Sequence, residues 1–521
     1  MLKILSPATN WGSAKFLDTL VESSIIHSKI ETLFTGSRLL CLILGICSTG
    51  IHHVFTAKPN FDVVYQWNQL EYDYHSEYDR QADIDTGNFI PGKAAPIDVE
   101  VYYSNNKSRN KIFVTVPRFL PGVPITLGTV SGKMYKGSPV ISPYPSWEWH
   151  RSPHSCGVER IVSVFRVAID ECNRLWVLDT GKVLETQTCP AQILAFDLKT
   201  DRLLYSSDIP SDLLESRSLL VTPVVDIRDG QCDNAFIYMA DVQTYSIIVH
   251  DVKNREFWKA TDKTMYPYPN YGTYTIKGES FDLMDGILGM ALSPHVPGRD
   301  RKLYYHAMSS ATENWVNTMD LRNKSRFEND PESSPEVFHH VWFKIQIGSL
   351  ESDTIGSSEM SLKACTSFKD LPGFGTYRGQ RRTQSAAEAM DNDGIMFFGL
   401  MSDIKIACWN TRGEYADPSS TDTVAYNPLT LQFASGVKVR ENNKRAQEVW
   451  IMTSRFQKVS AETLTSSEVN FRILAGKVDD LLFGTNCRGK KMDNNIAITH
   501  HPQGGGAQYG RRHRRSASGD F

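Results

Sequence analysis

The sequence predicts an all-β protein, a six-bladed β-propeller closed by an N-terminal strand. Short apolar runs rich in β-branched and aromatic residues are dense along the chain, while helical periodicity is scarce. One hairpin unit, IVSVFRVAIDECNRLWVLDTG from Ile161 to Gly181, has counterparts downstream, which points to a repeated sheet. With 521 residues, 41% of them apolar and 11% aromatic, the chain is about twice as long as a sandwich requires.

The strands of the ring can be placed in order. FDVVYQWNQLEYDY, Phe61 to Tyr74, alternates partly and is expected to pair with the last blade, removing exposed edges. PIDVEVYY and KIFVTVPR form the first blade, from Pro96 to about Pro145. The second runs from Ile161 to Pro210 through VFRVAID, RLWVLD, QILAFDL and RLLYSSDIP. VTPVVDIRD, AFIYMAD, SIIVHDV and REFWKAT make the third. The fourth, starting near Phe281, holds GILGMALSP, KLYYHAMSS and NWVNTMDL. AAEAMDNDGIMFFGLM and IKIACWN belong to the fifth, from Thr383; LQFASGVKV, EVWIMTS and FRILAGKV belong to the sixth. Residues 320 to 382 are polar and rich in Ser, Pro and Asp, as insertions on loop faces are. Two packed β-domains would give similar local patterns, but no composition break marks a linker.

Three regions result: a leader over residues 1–50, the propeller over 51–490, and a Gly/Arg-rich disordered tail over 491–521. Arg38 precedes the apolar run LLCLILGIC, Leu39 to Cys47, which has the length of a signal-peptide core and is shorter than the roughly 20 residues that span a bilayer. The 37 residues before it are unusually many for such a signal, so either the first methionine lies upstream of the real start or the run is an uncleaved anchor; the core's length favours secretion. We expect secretion, no integral membrane span and a mature chain starting around Ile51. In the tail, Arg512-His513-Arg514-Arg515 reads as a solvated basic cluster or a dibasic processing site.

An oxidising compartment would let Cys156, Cys172, Cys189, Cys232, Cys408 and Cys487 form disulfides, with one thiol of seven, counting Cys365, left over. Their connectivity is not derivable from spacing. Asn106 and Asn323 head sequons in polar stretches and are candidate glycosylation sites.

A net charge of −3, from 56 basic and 59 acidic residues, gives no global field for nucleic acid. Metalloprotease, P-loop, dinucleotide and nucleophile-elbow motifs are missing, and no cofactor or metal is expected. His150, His154 and Cys156 lie close together, but Pro153 breaks the helix that would align the histidines, and Cys156 is a disulfide candidate. Asp391-Asn392-Asp393-Gly394 lacks the rest of a calcium loop and reads as a hairpin turn.

In a propeller, loops of every blade converge on the channel. Polar residues at inner-strand ends are therefore the candidates: Asp226 and Arg228, Asp282 and Asp285, and Gln384, Ser385 and Glu388. Buried turn hydrogen bonds and inter-blade ion pairs explain such groups more often than ligand contacts do. Phe398 and Trp342 could stack on an aromatic ligand or pack in the core. Asp285 and Glu388 are the candidate catalytic carboxylates.

The combination of YQWNQLEYDY, FIPGKAAPIDVEVY, IFVTVPRFLPGVPITLGTV, YPSWEWH, SVFRVAIDECNRLWVLDTG, DGILGMALSP, QSAAEAMDNDGIMFFGLM and ACWN strongly resembles the Yellow and major royal jelly protein family of insects, from about Phe61 to Cys487. The resemblance implies a secreted six-bladed propeller linked to cuticle pigmentation and melanin, with some members converting dopachrome, some binding biogenic amines and some serving as nutrient protein. For this chain it suggests an extracellular binder of a catechol- or indole-derived amine, with Asp285 or Glu388 pairing with the ammonium group and Phe398 as an aromatic wall. A dopachrome tautomerase or decarboxylase and a cuticle or eggshell matrix protein are the alternatives. The resemblance leaves oligomeric state open.

Overall fold

The computed structural model describes residues 61–328 apart from 158 and 229, residue 331, and residues 374–488. The leader, Trp342, Cys365 and the basic tail lie outside the described residues. Six blades make up the fold, each running in sequence from the innermost strand outward, except that the outermost strands of blades 6 and 1 are supplied by the N-terminal segment.

The innermost strands, blades 1 to 6, are Asp98–Tyr102, Val164–Ile169, Leu220–Arg228, Ile287–Leu292, Glu388–Met390 and Ala434–Glu441. Each packs on the innermost strands of both neighbours, and the strand of blade 6 returns to that of blade 1. Asp62–Trp67 pairs antiparallel with Phe471–Lys477 as the outermost strand of blade 6, so the ring closes as expected. The segment expected to be one strand is two. After Trp67, whose indole donates to the Pro139 carbonyl at 2.7 Å, the chain crosses to blade 1, where Glu71–Tyr72 pairs parallel with Ser138–Pro143.

Two further expectations are corrected. Phe281 does not open blade 4; it belongs to a separate hairpin of Thr273–Ile276 and Glu279–Asp282, inserted before that blade. Blade 4 takes its outermost strand, Phe374–Thr376, from within the segment 320–382 expected to be loop insertion, where a three-residue pairing with Asn314–Asn317 leaves little periodicity to read.

Side chains explain why the hairpins turn where they do. At Asp170, Oδ1 accepts from the backbone N–H groups of Cys172 and Arg174, and Oδ2 accepts from the Trp176 indole at 2.8 Å. Asn173 adopts φ 60°, a conformation Asn tolerates better than most residues. Asp391 repeats the device in blade 5, accepting from Asp393 and Ile395, with Gly394 at φ 80°. The expected hairpin turn is therefore present. At the other end of the second strand, Asp179 accepts from the backbone of Val162, Ser163 and Gly181, and Asp241 accepts from that of Leu219, Gln243 and Thr244 in blade 3.

Apolar faces of adjacent blades interlock. Trp176, Leu178 and Ile193 of blade 2 bury against Ile237, Met239 and Ile248 of blade 3. Blade 3 presents Tyr238, Ile247 and Val249 to Leu303 and Tyr305 of blade 4 on its other face. Each such side chain contributes roughly 1.5–3 kcal/mol when fully buried, so the ring is held by many interfaces of similar kind.

All six candidate cysteines are paired. Cys156 bonds Cys189, Cys172 bonds Cys232 between the turns of blades 2 and 3, and Cys408 bonds Cys487. The last bond anchors the chain beyond the final strand onto blade 5. Among the described residues, no helix is long and apolar enough to cross a membrane.

Candidate functional site

Strand-borne charges inside apolar runs build the centre of the ring. Arg166, within the inner strand of blade 2, is 4% exposed and points its guanidinium across the axis. Its Nη1 donates to Thr222 Oγ1 at 3.1 Å and to the Leu288 carbonyl at 3.2 Å. Nη2 donates to the carbonyls of Ala386 at 3.1 Å and Ser435 at 2.7 Å. One side chain thus bonds to blades 3, 4 and 6 and to the residue pair leading into blade 5.

Against Arg166 lies a cavity of about 290 Å³, walled by inner strands of all six blades. Apolar side chains such as Ile169, Val225, Met290 and Val439 line it, together with Asp98, Glu388, Lys438 and Arg440. No aromatic side chain is part of that lining. At the opposite end, where the inner strands begin, five phenylalanines meet. Phe119 lies 6.0 Å from Phe165 and 5.9 Å from Phe456, and Phe456 lies 5.6 Å from Phe281 and 5.0 Å from Phe433. The inserted hairpin that carries Phe281 contributes to this roof.

The cations of the wall are engaged. Lys438 Nζ is 3.0 Å from Asp98 Oδ2 and donates to the Val167 carbonyl at 2.8 Å, while Arg440 grips Glu100 through Nε at 2.6 Å and through Nη2. The acceptors are less well served. Asp98 Oδ1 and both oxygens of Glu388 are buried without a hydrogen-bond donor, and the Nε–H of Arg166 is buried without an acceptor. Gly436 makes the room for Asp98, since a Cβ there would come within 2.5 Å of Oδ1. Burial raises the Asp98 carboxyl against the opposing pull of Lys438 and Arg166. Burial, with Glu313 alongside, pushes Glu388 up to about 7.

Of the residues singled out from sequence, only Glu388 lines this cavity. Asp285 stands at the start of the blade 4 inner strand, toward the roof; it accepts from Gln243, and burial raises it to about 7. Gln384 holds the inserted hairpin, donating to the carbonyls of Tyr271 at 2.9 Å and Thr273 at 2.8 Å. Ser385 is buried, and Asp282 is exposed, accepting from Thr273 Oγ1. Phe398 is 2% exposed and packs near Tyr415 in the core between blades 4 and 5, away from the cavity lining. Asp226 is an ion-pair hub for Arg228, Arg301 and Arg322. Asn106 and Asn323 are exposed. His150 is buried, with Nε2 2.9 Å from the Tyr144 carbonyl, and Cys156 is disulfide-bonded, so the HRSPHSC segment assembles no metal site.

Asp98 and Arg166 escaped the sequence reading, although a charge inside an apolar inner strand, PIDVEVYY or SVFRVAID, is the signal that marks both. The set His306, Glu313 and Glu388 also escaped it. One ligand atom from each lies within 4.8 Å of the others, a spacing that could hold a metal ion.

The model of the family described as major royal jelly protein matches residues 162–360 and 366–487. Major royal jelly protein 9 of Apis mellifera is 35% identical over 86% of this chain and 95% of its own length. Major royal jelly protein 8 of the same species is 30% identical over 86% of this chain and 98% of its own. Dopaminechrome tautomerase of Drosophila melanogaster is 29% identical over 83% of this chain and 85% of its own. With the family model spanning five of the six blades and relatives aligned over nearly their full length, the chain belongs to the Yellow and major royal jelly protein family.

Proposed function

We propose that this is a secreted protein of cuticle pigmentation or melanin metabolism that binds a catechol- or indole-derived amine in its central channel. The observation that carries the reading is Asp98 Oδ1, a buried acceptor without a donor of its own that enters the cavity wall from blade 1, with Glu388 of blade 5 in the same wall. An ammonium group has three donors and a positive charge, so it suits such a wall. The apolar band of Ile169, Val225, Met290 and Val439 suits the ring that carries it. Three disulfides fit an oxidising compartment.

Isothermal calorimetry with dopamine, serotonin and a dopachrome analogue tests this on glycosylated, disulfide-intact protein. Binding of at least one of them, weakened in Asp98→Asn, supports the reading. No heat with any of the three removes it.

A second reading is dopachrome conversion, with a cavity carboxylate moving the proton that rearranges the quinone to a dihydroxyindole. The relative named dopaminechrome tautomerase favours it. Decay of dopachrome absorbance no faster than in buffer excludes it.

A further inference from the structure

Behind Glu388, between blades 4 and 5, the chain assembles a second polar centre that the channel ligand does not explain. His306 comes from the second strand of blade 4, Lys302–Ala307, and Glu313 stands just before the third, Asn314–Asn317. The side chains of His306, Glu313 and Glu388 are 0%, 1% and 0% exposed. His306 Nε2 lies 3.2 Å from the Ser385 carbonyl, which can only accept, so Nε2 carries a proton. Nδ1 then faces two carboxylate oxygens at once, Glu313 Oε2 at 3.1 Å and Glu388 Oε2 at 3.0 Å. One N–H cannot be aimed at both. The geometry serves Glu313 and leaves both oxygens of Glu388 and Oε1 of Glu313 without donors.

We infer that His306 Nδ1, Glu313 and Glu388 bind a small divalent transition-metal ion behind the channel wall. The separations of 3.0 and 3.1 Å between the nitrogen and the two oxygens equal the edge of an octahedron with bonds of about 2.1 Å, the length found around a small octahedral divalent ion. A cation at the centre serves both carboxylates together, which a proton on Nδ1 does not. The Ser385 carbonyl fixes the imidazole tautomer, as outer partners of ligating histidines do. Arg381 Nη1 donates to Glu313 Oε2 at 2.9 Å and to Tyr415 Oη at 2.8 Å, holding that carboxylate in place. Gly289 lets the ring sit there, because a Cβ would come within 2.5 Å of the imidazole. One nitrogen and two carboxylates suit Zn²⁺ or Mn²⁺; Ca²⁺ would call for six to eight oxygens. Arg381 is also the competitor, since a guanidinium and an imidazolium could neutralise the two carboxylates without metal. The inference stands apart from amine binding, which the calorimetry above decides separately.

The test uses full-length, disulfide-intact protein stripped with a chelator, dialysed against MnCl₂ or ZnCl₂ and analysed by plasma mass spectrometry. One equivalent of bound ion is expected, with a single nitrogen coupling in the pulsed electron paramagnetic resonance spectrum of the Mn²⁺ form. Glu388→Gln and His306→Gln should each weaken binding at least tenfold, whereas Asp282→Asn on the exposed hairpin should not. The wild-type spectrum decides the matter even where the buried variants fail to fold. No stoichiometric ion, an ion without nitrogen coupling, or an ion retained equally by both folded variants overturns the inference.

Discussion

Arg166 of blade 2 donates to the carbonyl of Ser435 in blade 6 at 2.7 Å, across a sequence separation of 269 residues. With its bonds to Thr222, Leu288 and Ala386, this makes one guanidinium the axial tie of the ring. Arg166→Met keeps most of the volume but strips donors from four buried acceptors and a countercharge from Asp98. The expected loss is roughly 3–5 kcal/mol, the range for breaking a buried charge network by removing one partner. Chemical denaturation of the variant and parent measures it; a change below about 1 kcal/mol would show that the tie is not structural.

Asp98→Asn should reduce affinity for a bound amine about tenfold or more, because a hydrogen bond to a charged group contributes roughly 1.5–3 kcal/mol. Phe398→Leu should leave affinity unchanged while lowering the melting temperature, since this ring packs between blades and not in the cavity lining. Calorimetry and thermal unfolding on the same preparations separate the two effects.

Acid should act through two buried histidines. His250 donates from Nδ1 to the Glu256 carbonyl at 2.9 Å and accepts from Tyr205 Oη at 2.8 Å, the pattern of a neutral ring. Burial lowers it to about 4; burial and the Arg118 charge lower His150 to about 3. A histidine depressed below its unfolded value of about 6.5 contributes stability that is full above that pH. That contribution is lost as pH falls toward 4 for His250 and toward 3 for His150. The stability advantage of the parent over His250→Gln should therefore shrink between pH 7.5 and 4.5 by about 1–3 kcal/mol.

Asp285 has the opposite sign. Raised by burial to about 7, it contributes stability that is full below its unfolded value and is lost as pH rises through about 7. Asp285→Asn should gain on the parent between pH 5 and 8 in a thermal-shift series. A pH-independent difference would place that carboxyl in water.

Opening the Cys172–Cys232 bond by paired alanine substitution should cost about 2–4 kcal/mol, since the bond joins turns of adjacent blades 60 residues apart. Non-reducing peptide mapping should recover Cys156–Cys189 and Cys408–Cys487 intact.

By itself the sequence determined the ring: strand density, the recurring hairpin and the partly alternating N-terminal segment are local patterns, and Asp170 and Asp391 make their turns with neighbours a few residues away. It also marked the six cysteines but not their partners, because pairing depends on which turns the blades bring together. The tertiary structure alone decided the centre. Asp98, Arg166 and Glu388 are far apart in the chain and converge only when the inner strands close around one axis, and His306 reaches Glu388 only because two blades pack face to face. Phe398 shows the same limit from the other side: strand alternation cannot say whether an aromatic ring faces a channel or a neighbouring blade, and burial against Tyr415 settled it as core.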